Sequence, residues 1–257
     1  MLNDKMIAIT GASSGIGESA ARLIAREGAV PILMARSRDK LDRIAASIGA
    51  PCGVYALDVT STEQVNETFH RALDRYGRID ALVNNAGFGL FERFADAPLE
   101  HFEQMMDVNY FGLVRCTKAV LPHMLQAGQG HIVNIASLAG KIGTAKSTGY
   151  AATKHAVLGF TNSLRQELAG TGVRLSAINP GPVDTAFFER ADPSGTYVAG
   201  IKRLMLKPEQ VAAHIVKVLR SGKAEQDLPA IMGLLTRLYQ LFPRASDKVA
   251  GRFMNRK

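Results

Sequence analysis

Tyr150 and Lys154 stand four residues apart in Tyr150-Ala151-Ala152-Thr153-Lys154. Four residues are about one helical turn, so on a helix the phenol and the ammonium share a face. An ordinary tyrosine has a pKa of about 10 and is a poor proton shuttle near neutrality. A neighbouring ammonium favours the phenolate and would make Tyr150 usable as a general acid or base. Pairs with this spacing are common on solvated helix surfaces, so the spacing alone is more often structural than catalytic. Ser137 adds the missing weight. It follows the apolar run from His131 to Ala136, and the carboxyl ends of strands are where open α/β sheets bind ligands. From there its hydroxyl can orient and polarise a carbonyl group while Tyr150 supplies a proton.

A second constellation sits near the N-terminus, where Gly11-Ala12-Ser13-Ser14-Gly15-Ile16-Gly17 follows an apolar stretch, Lys5 to Thr10, and precedes a helical pattern from Glu18 to Glu27. Glycines at 11, 15 and 17 let the chain turn sharply and let its backbone approach a pyrophosphate at the positive N-terminus of the next helix. The spacing is GxxxGxG and not GxGxxG; on this motif alone, a glycine-rich turn without a ligand is the plain alternative. An acid at the end of the second strand would hold a free ribose 2′-hydroxyl, whereas an arginine accommodates a 2′-phosphate. The residues there are Ala35-Arg36-Ser37-Arg38. Arg36 offers a planar, permanently charged fork, Ser14 or Ser37 could add a hydroxyl, and Arg38 reads as a solvated charge. NADP(H) is therefore expected over NAD(H).

These residues need a scaffold that brings strand ends together. Strands are expected at Lys5–Thr10, Val30–Ala35, Val54–Leu57, Ala81–Asn84, Gly130–Ala136 and Val173–Asn179. Helices are expected over Glu18–Glu27, Arg38–Ser47, Glu63–Tyr76, Leu99–Ala127 and Gly149–Ala169. Strands alternating with helices of ten or more residues imply right-handed crossovers and a parallel sheet covered on both faces. The expected fold is α/β, a single doubly wound, Rossmann-like domain spanning residues 1–257. Residues 186–208 lack a clear period and read as a mobile substrate loop or lid.

In order along the chain, the glycine turn after Thr10, Asn84-Asn85-Ala86-Gly87, Asn109, Ser137, Tyr150 with Lys154, and Pro180-Gly181 resemble the motifs of the short-chain dehydrogenase/reductase family. The resemblance covers roughly residues 5 to 190. It implies an oxidoreductase passing hydride between a nicotinamide and a carbonyl or secondary alcohol, as a carbonyl reductase of small to lipid-like (ketoacyl or steroid-like) substrates. It implies that Gly11, Ser13, Ile16 and Gly17 line the phosphates, that Asp58 and Val59 flank the adenine, and that Asn85, Ala86 and Gly87 pack beside the adenosine. Asp58 also reads as a cap in its own turn. Lys154 would hold the nicotinamide ribose, and Asn109 would maintain a kinked helix and a water leading to Lys154. After Pro180 and Gly181, the backbone of Val183 and the hydroxyl of Thr185 would hold the carboxamide. A nucleotide-sensing module of the same fold without turnover is the alternative; loss of Tyr150 or Lys154 would have marked it, and both are present.

The 257 residues, 47% hydrophobic and 21% charged, can bury a sizeable core and do not suggest disorder. No apolar run is long enough to span a bilayer. Cys52 and Cys116 lie far apart without a CxxC pattern and read as buried thiols of a reducing cytoplasm, and the six histidines show no metal-ligand spacing. Half of the net charge of +8 falls in residues 222–257, and no aromatic-basic patch points to nucleic acid. Similar proteins end in a short strand with a glycine pair that helps build a tetramer, and that feature is not found here. In its place Ile231, Leu234 or Leu235, Leu238 and Leu241 or Phe242 form an apolar stripe followed by basic residues. A helix packed on the domain or against a second subunit, as in a homodimer or tetramer, is the plainer expectation. A lip for a lipid-like substrate, or a peripheral membrane contact, is the sharper one.

Overall fold

The computed structural model describes residues 2–193 and 195–242. Alternate residues along the strands feed opposite sides of one sheet. Ile7, Ile9, Leu33, Val83 and Val133 enter one hydrophobic core, while Ala8, Ile32, Met34, Leu82 and Ile132 enter the other. Such two-sided burial is what makes these strands nearly continuous apolar runs.

The strands are β1 (Met6–Thr10), β2 (Val30–Ala35), β3 (Gly53–Ala56), β4 (Ala81–Asn84), β5 (Gly130–Ile135), β6 (Val173–Pro180) and β7 (Glu225–Leu228). They lie in the order β3-β2-β1-β4-β5-β6-β7 and pair in parallel throughout. The chain winds outward from β1 to β3, then crosses back to β4 and winds the other way. The direction therefore reverses between β1 and β4, and their carboxyl ends open a crevice suited to a ligand.

The helices are α1 (Gly15–Arg26), α2 (Arg38–Ile48), α3 (Thr62–Tyr76), α4 (Leu99–Met106), α5 (Gly112–Gln126), α6 (Thr148–Glu167), α7 (Phe187–Ala191), α8 (Thr196–Ile201), α9 (Pro208–Ser221) and α10 (Ala230–Leu241). The long helix expected from Leu99 is interrupted by a π-helical turn, Asp107–Phe111, which separates α4 from α5. One extra residue per turn has no signature in hydrophobic spacing, but such bulges gather at functional sites.

Three expectations are corrected. The 186–208 segment is not irregular throughout. It contains α7, α8 and a 3-10 turn, with Asp192 accepting from the Tyr197 and Val198 N–H groups at 2.8 and 3.1 Å. Pro208 starts α9 and does not end the loop: proline suits the first helical position, and Gln210 Oε1 accepts the Lys207 N–H at 2.8 Å. A terminal strand exists after all, because β7 pairs with β6 from Ala177 opposite Glu225 to Pro180 opposite Leu228. It was hidden by its composition, Glu-Gln-Asp-Leu, which has neither a glycine pair nor an apolar run.

Candidate active site

β1 delivers the chain to Gly11 at φ +65°, and Gly15 follows at φ +55°, conformations that disfavour any residue with a Cβ. A Cβ on Gly11 would lie 2.8 Å from Ala86 Cα, and one on Gly17 would overlap the Gly11 carbonyl. The turn is tied to the end of β4. Thr10 Oγ1 accepts from the Asn85 and Ala86 N–H groups at 3.0 and 3.1 Å, and Asn85 Nδ2 donates to the Thr10 and Gly11 carbonyls at 3.0 and 3.2 Å. The bare backbone of 11–17, opening into the N-terminus of α1, is a cradle into which a phosphate fits. Ser14, the residue before α1, makes no capping bond with its side chain, so its hydroxyl remains available.

Arg36 is exposed at the carboxyl end of β2 and has no salt bridge among the described residues, whereas Arg38 pairs with Asp42 at 3.3 Å. Asp58 accepts from the Thr60 N–H and hydroxyl at 3.0 and 2.8 Å. It thus closes its own turn, while Ser61 is the residue that caps α3. Val59 is buried beside it.

Ser137 follows β5 in extended conformation and accepts from the Ala139 N–H at 3.0 Å while donating to the Pro180 carbonyl at 3.3 Å. The turn-capping role and an outward role are therefore both open to it, since the second bond is long. α6 brings Tyr150 and Lys154 to the same edge of the sheet. Lys154 is buried, donates to the Ile135 carbonyl at 2.9 Å, and lies over the Tyr150 ring, 5.7 Å from its centroid.

This geometry corrects the expectation that Lys154 lowers the Tyr150 pKa. The ammonium lies over the ring, and its hydrogen bond goes to the Ile135 carbonyl. Burial dominates and pushes the phenol up to about 12, against the downward pull of a hydrogen bond with Ser137. Burial also brings Lys154 down to about 8, because the charged form loses water.

Asn109, buried in the π-helical turn, gives the kink a partner. Its Oδ1 accepts the Phe88 N–H at 2.9 Å, and its Nδ2 donates to the Phe88 carbonyl at 2.8 Å and to Thr153 Oγ1 at 3.1 Å. Gly87 lies between Asn109 and Lys154, within 3.8 Å of both measured from the position of a Cβ. After β6, Pro180 and Gly181 lead to the buried Val183, and Thr185 packs against Gly15 across the crevice. The expected site residues thus lie along the carboxyl edge of β1 to β6.

Two groups were missed by the sequence reading. The rings of Phe187 and Phe91 lie 5.5 and 5.9 Å from that of Tyr150 between centroids, and Phe188 and Tyr197 pack against them in turn. They come from the loop that holds Phe91 and from α7 and α8, distant in sequence, so no spacing announces them. Behind Ser137, Lys141 pairs with Glu225 and Asp227 at 2.5 and 2.6 Å, and Asn179 donates to the same two carboxylates at 2.8 and 2.7 Å. Lys141, which closes the turn that begins at Leu138, and Asn179, the residue before Pro180, are thereby locked together. Among the described residues no group of three or more His, Cys, Asp or Glu could hold a metal ion.

The family model for short chain dehydrogenases matches residues 5–194. An uncharacterized oxidoreductase of Staphylococcus aureus (strain MRSA252) is 38% identical over 224 residues, covering 87% of this chain and 94% of the relative. Among solved structures, a 3-ketoacyl-(acyl-carrier-protein) reductase from Brucella melitensis complexed with NADH has a TM-score of 0.82 at 28% identity, covering 89% of this chain and 98% of the other. An alcohol dehydrogenase from the archaeon Thermococcus sibiricus, complexed with 5-hydroxy-NADP, has a TM-score of 0.76 at 31% identity, covering 88% and 95%. The chain belongs to the short-chain dehydrogenase/reductase family and is an oxidoreductase built on a Rossmann-like sheet.

Proposed function

We propose that this chain is an NADP(H)-dependent carbonyl reductase. The observation that carries the reading is the meeting of Ser137, Tyr150 and Lys154 at one sheet edge, beside a glycine cradle and an Arg36 that has no salt bridge among the described residues. The cofactor, when bound, supplies the hydride. Gly11, Ser13, Ser14, Gly15, Ile16 and Gly17 would hold its phosphates, Arg36 its 2′-phosphate, and Asp58, Val59, Asn85, Ala86 and Gly87 its adenosine. Pro180, Gly181, Val183 and Thr185 would border its carboxamide, and Lys154 its nicotinamide ribose.

Ser137 donates its hydroxyl to the substrate carbonyl in exchange for the long bond to Pro180. Tyr150, kept protonated by burial, delivers its proton to the oxygen as that atom becomes an alkoxide, a far stronger base than a phenolate. Lys154 keeps a positive charge under the ring, and Asn109 holds the Phe88 backbone and Thr153 so that α6 keeps its distance from the π-helical turn. The aromatic rings around Tyr150 exclude water and favour an apolar group next to the carbonyl. The test is a panel of aldehydes and ketones with NADPH and NADH, following cofactor consumption optically. Turnover of apolar carbonyl compounds with NADPH is expected, and none with any member of the panel would overturn the reading.

A further inference from the structure

The two sides of α10 stand in different environments. Gly233 and Thr236 are buried, and Gly233 lies so close to Asp227 that any side chain there would overlap the carboxylate. Ile231, Leu234, Leu235, Leu238, Leu241 and Phe242 are instead 47–69% exposed. Eleven large hydrophobic residues are exposed among those described, and six of them lie on α10 or at its C-terminal cap, Phe242. Their spacing places them on a single stripe at least about 100° wide. The helix does pack on its own domain, as the plainer expectation has it, but through Gly233 and Thr236 on the other side; the stripe itself faces away from the domain.

Charge points to what covers the stripe. α10 has no acidic residue and carries Arg237. In the sequence that follows, residues 243–257 hold Arg244, Lys248, Arg252, Arg256 and Lys257 against the single acid Asp247. An anionic lipid surface attracts both features at once. The helix is also too short to cross: 12 residues span about 18 Å, against about 30 Å of hydrocarbon.

We propose that α10 is a membrane-docking helix, which lies in the plane of an anionic lipid surface with its apolar stripe among the acyl chains and the basic segment on the headgroups. Docking bears on the cleft. Met232 lies against Gly181, and Gln240 donates to the Lys141 carbonyl at 3.1 Å, so α10 abuts the turn that follows Ser137. A carbonyl group on a lipid-like chain could then reach Tyr150 directly from the bilayer, a step that rests on the reductase reading above.

The test is co-sedimentation of the full chain with phosphatidylcholine vesicles, with and without phosphatidylglycerol. Binding to the anionic vesicles and not to the neutral ones is expected, weakening with added salt. Leu234→Glu with Leu238→Glu should reduce binding by at least about tenfold, and Arg252→Gln or Arg256→Gln by about fivefold per charge. All these variants should bind NADPH as the wild type does, since none of the altered residues belongs to the cofactor cradle. A chain that stays in the supernatant with anionic vesicles overturns the proposal. So does a dimer, seen by analytical ultracentrifugation, that the double glutamate variant dissociates while no vesicle binding occurs. Vesicle binding needs no turnover, so an inactive chain that still sediments would contradict the reductase reading alone.

Discussion

Replacing Lys141 with methionine removes the one cation that, among the described residues, Glu225 and Asp227 share. Lys141 and Asp227 side chains are 9% and 7% exposed, while Glu225 is 31% exposed. Breaking a buried pair typically costs about 3–5 kcal/mol, because a charge is left without its partner. Water reaching Glu225 places the expected loss near the lower end, about 3 kcal/mol. For a chain of this size that corresponds to a drop of about 6 to 12 °C in Tm. Lys141→Met with Asp227→Asn should recover much of this loss, since the stranded charge on Asp227 is then gone too. Turnover should fall with stability in the single variant, because Asn179 and the turn after Ser137 lose their common anchor, and Lys141→Arg should restore both in part. The assay is thermal unfolding of wild type, Lys141→Met, Lys141→Arg, Asp227→Asn and the double variant at one pH, paired with initial rates at a temperature where all are folded. A Lys141→Met melt within about 2 °C of wild type, or a double variant as unstable as the sum of its singles, would refute the reasoning.

Arg36→Asp should reduce or reverse a preference for NADPH over NADH. The lost charge-assisted contact is worth about 1.5–3 kcal/mol, or about tenfold to a hundredfold in Kd; equal affinity of the wild type for both cofactors in a fluorescence titration would contradict this. Lys154 is charged below its pKa of about 8 and Tyr150 stays protonated to about 12. Reductive kcat/KM should therefore hold on the acid side and fall as pH rises through about 8, and a profile flat to about pH 10 would remove the charge on Lys154 from the account. Gly233→Val should detach α10 from β7 by overlap with Asp227, visible as faster proteolysis at the helix; cleavage at the wild-type rate would show that the close approach is not needed.

The parallel sheet was legible because β1, β2, β4, β5 and β6 are largely apolar and each of the first four is followed by a helical period. The candidate site was legible as a set of residues because the glycines, Ser137, Tyr150 and Lys154 stand at spacings that a phosphate-binding turn and a proton-transfer pair would use. β7 escaped because its composition is polar and its partner, β6, lies far back in the chain. α9 escaped differently: Val211, Ala212, Ile215, Val216 and Leu219 do carry the helical period, but Pro208 read as the end of a loop where it is the start of a helix. The shift of Tyr150 was illegible for a third reason. The four-residue spacing predicts nearness to Lys154, but not that burial controls the hydroxyl.

The central claim is that Tyr150 transfers the proton in a reduction that the chain performs with NADPH. Tyr150→Phe removes only the hydroxyl, so NADPH binding should survive while the positioned acid is lost. Such groups contribute about 10²- to 10⁴-fold. The direct measurement is single-turnover reduction of a carbonyl substrate by Tyr150→Phe at saturating NADPH. A rate lower by about 10²-fold or more, with Kd for NADPH unchanged, is the predicted result; a rate within about threefold of wild type would contradict the account.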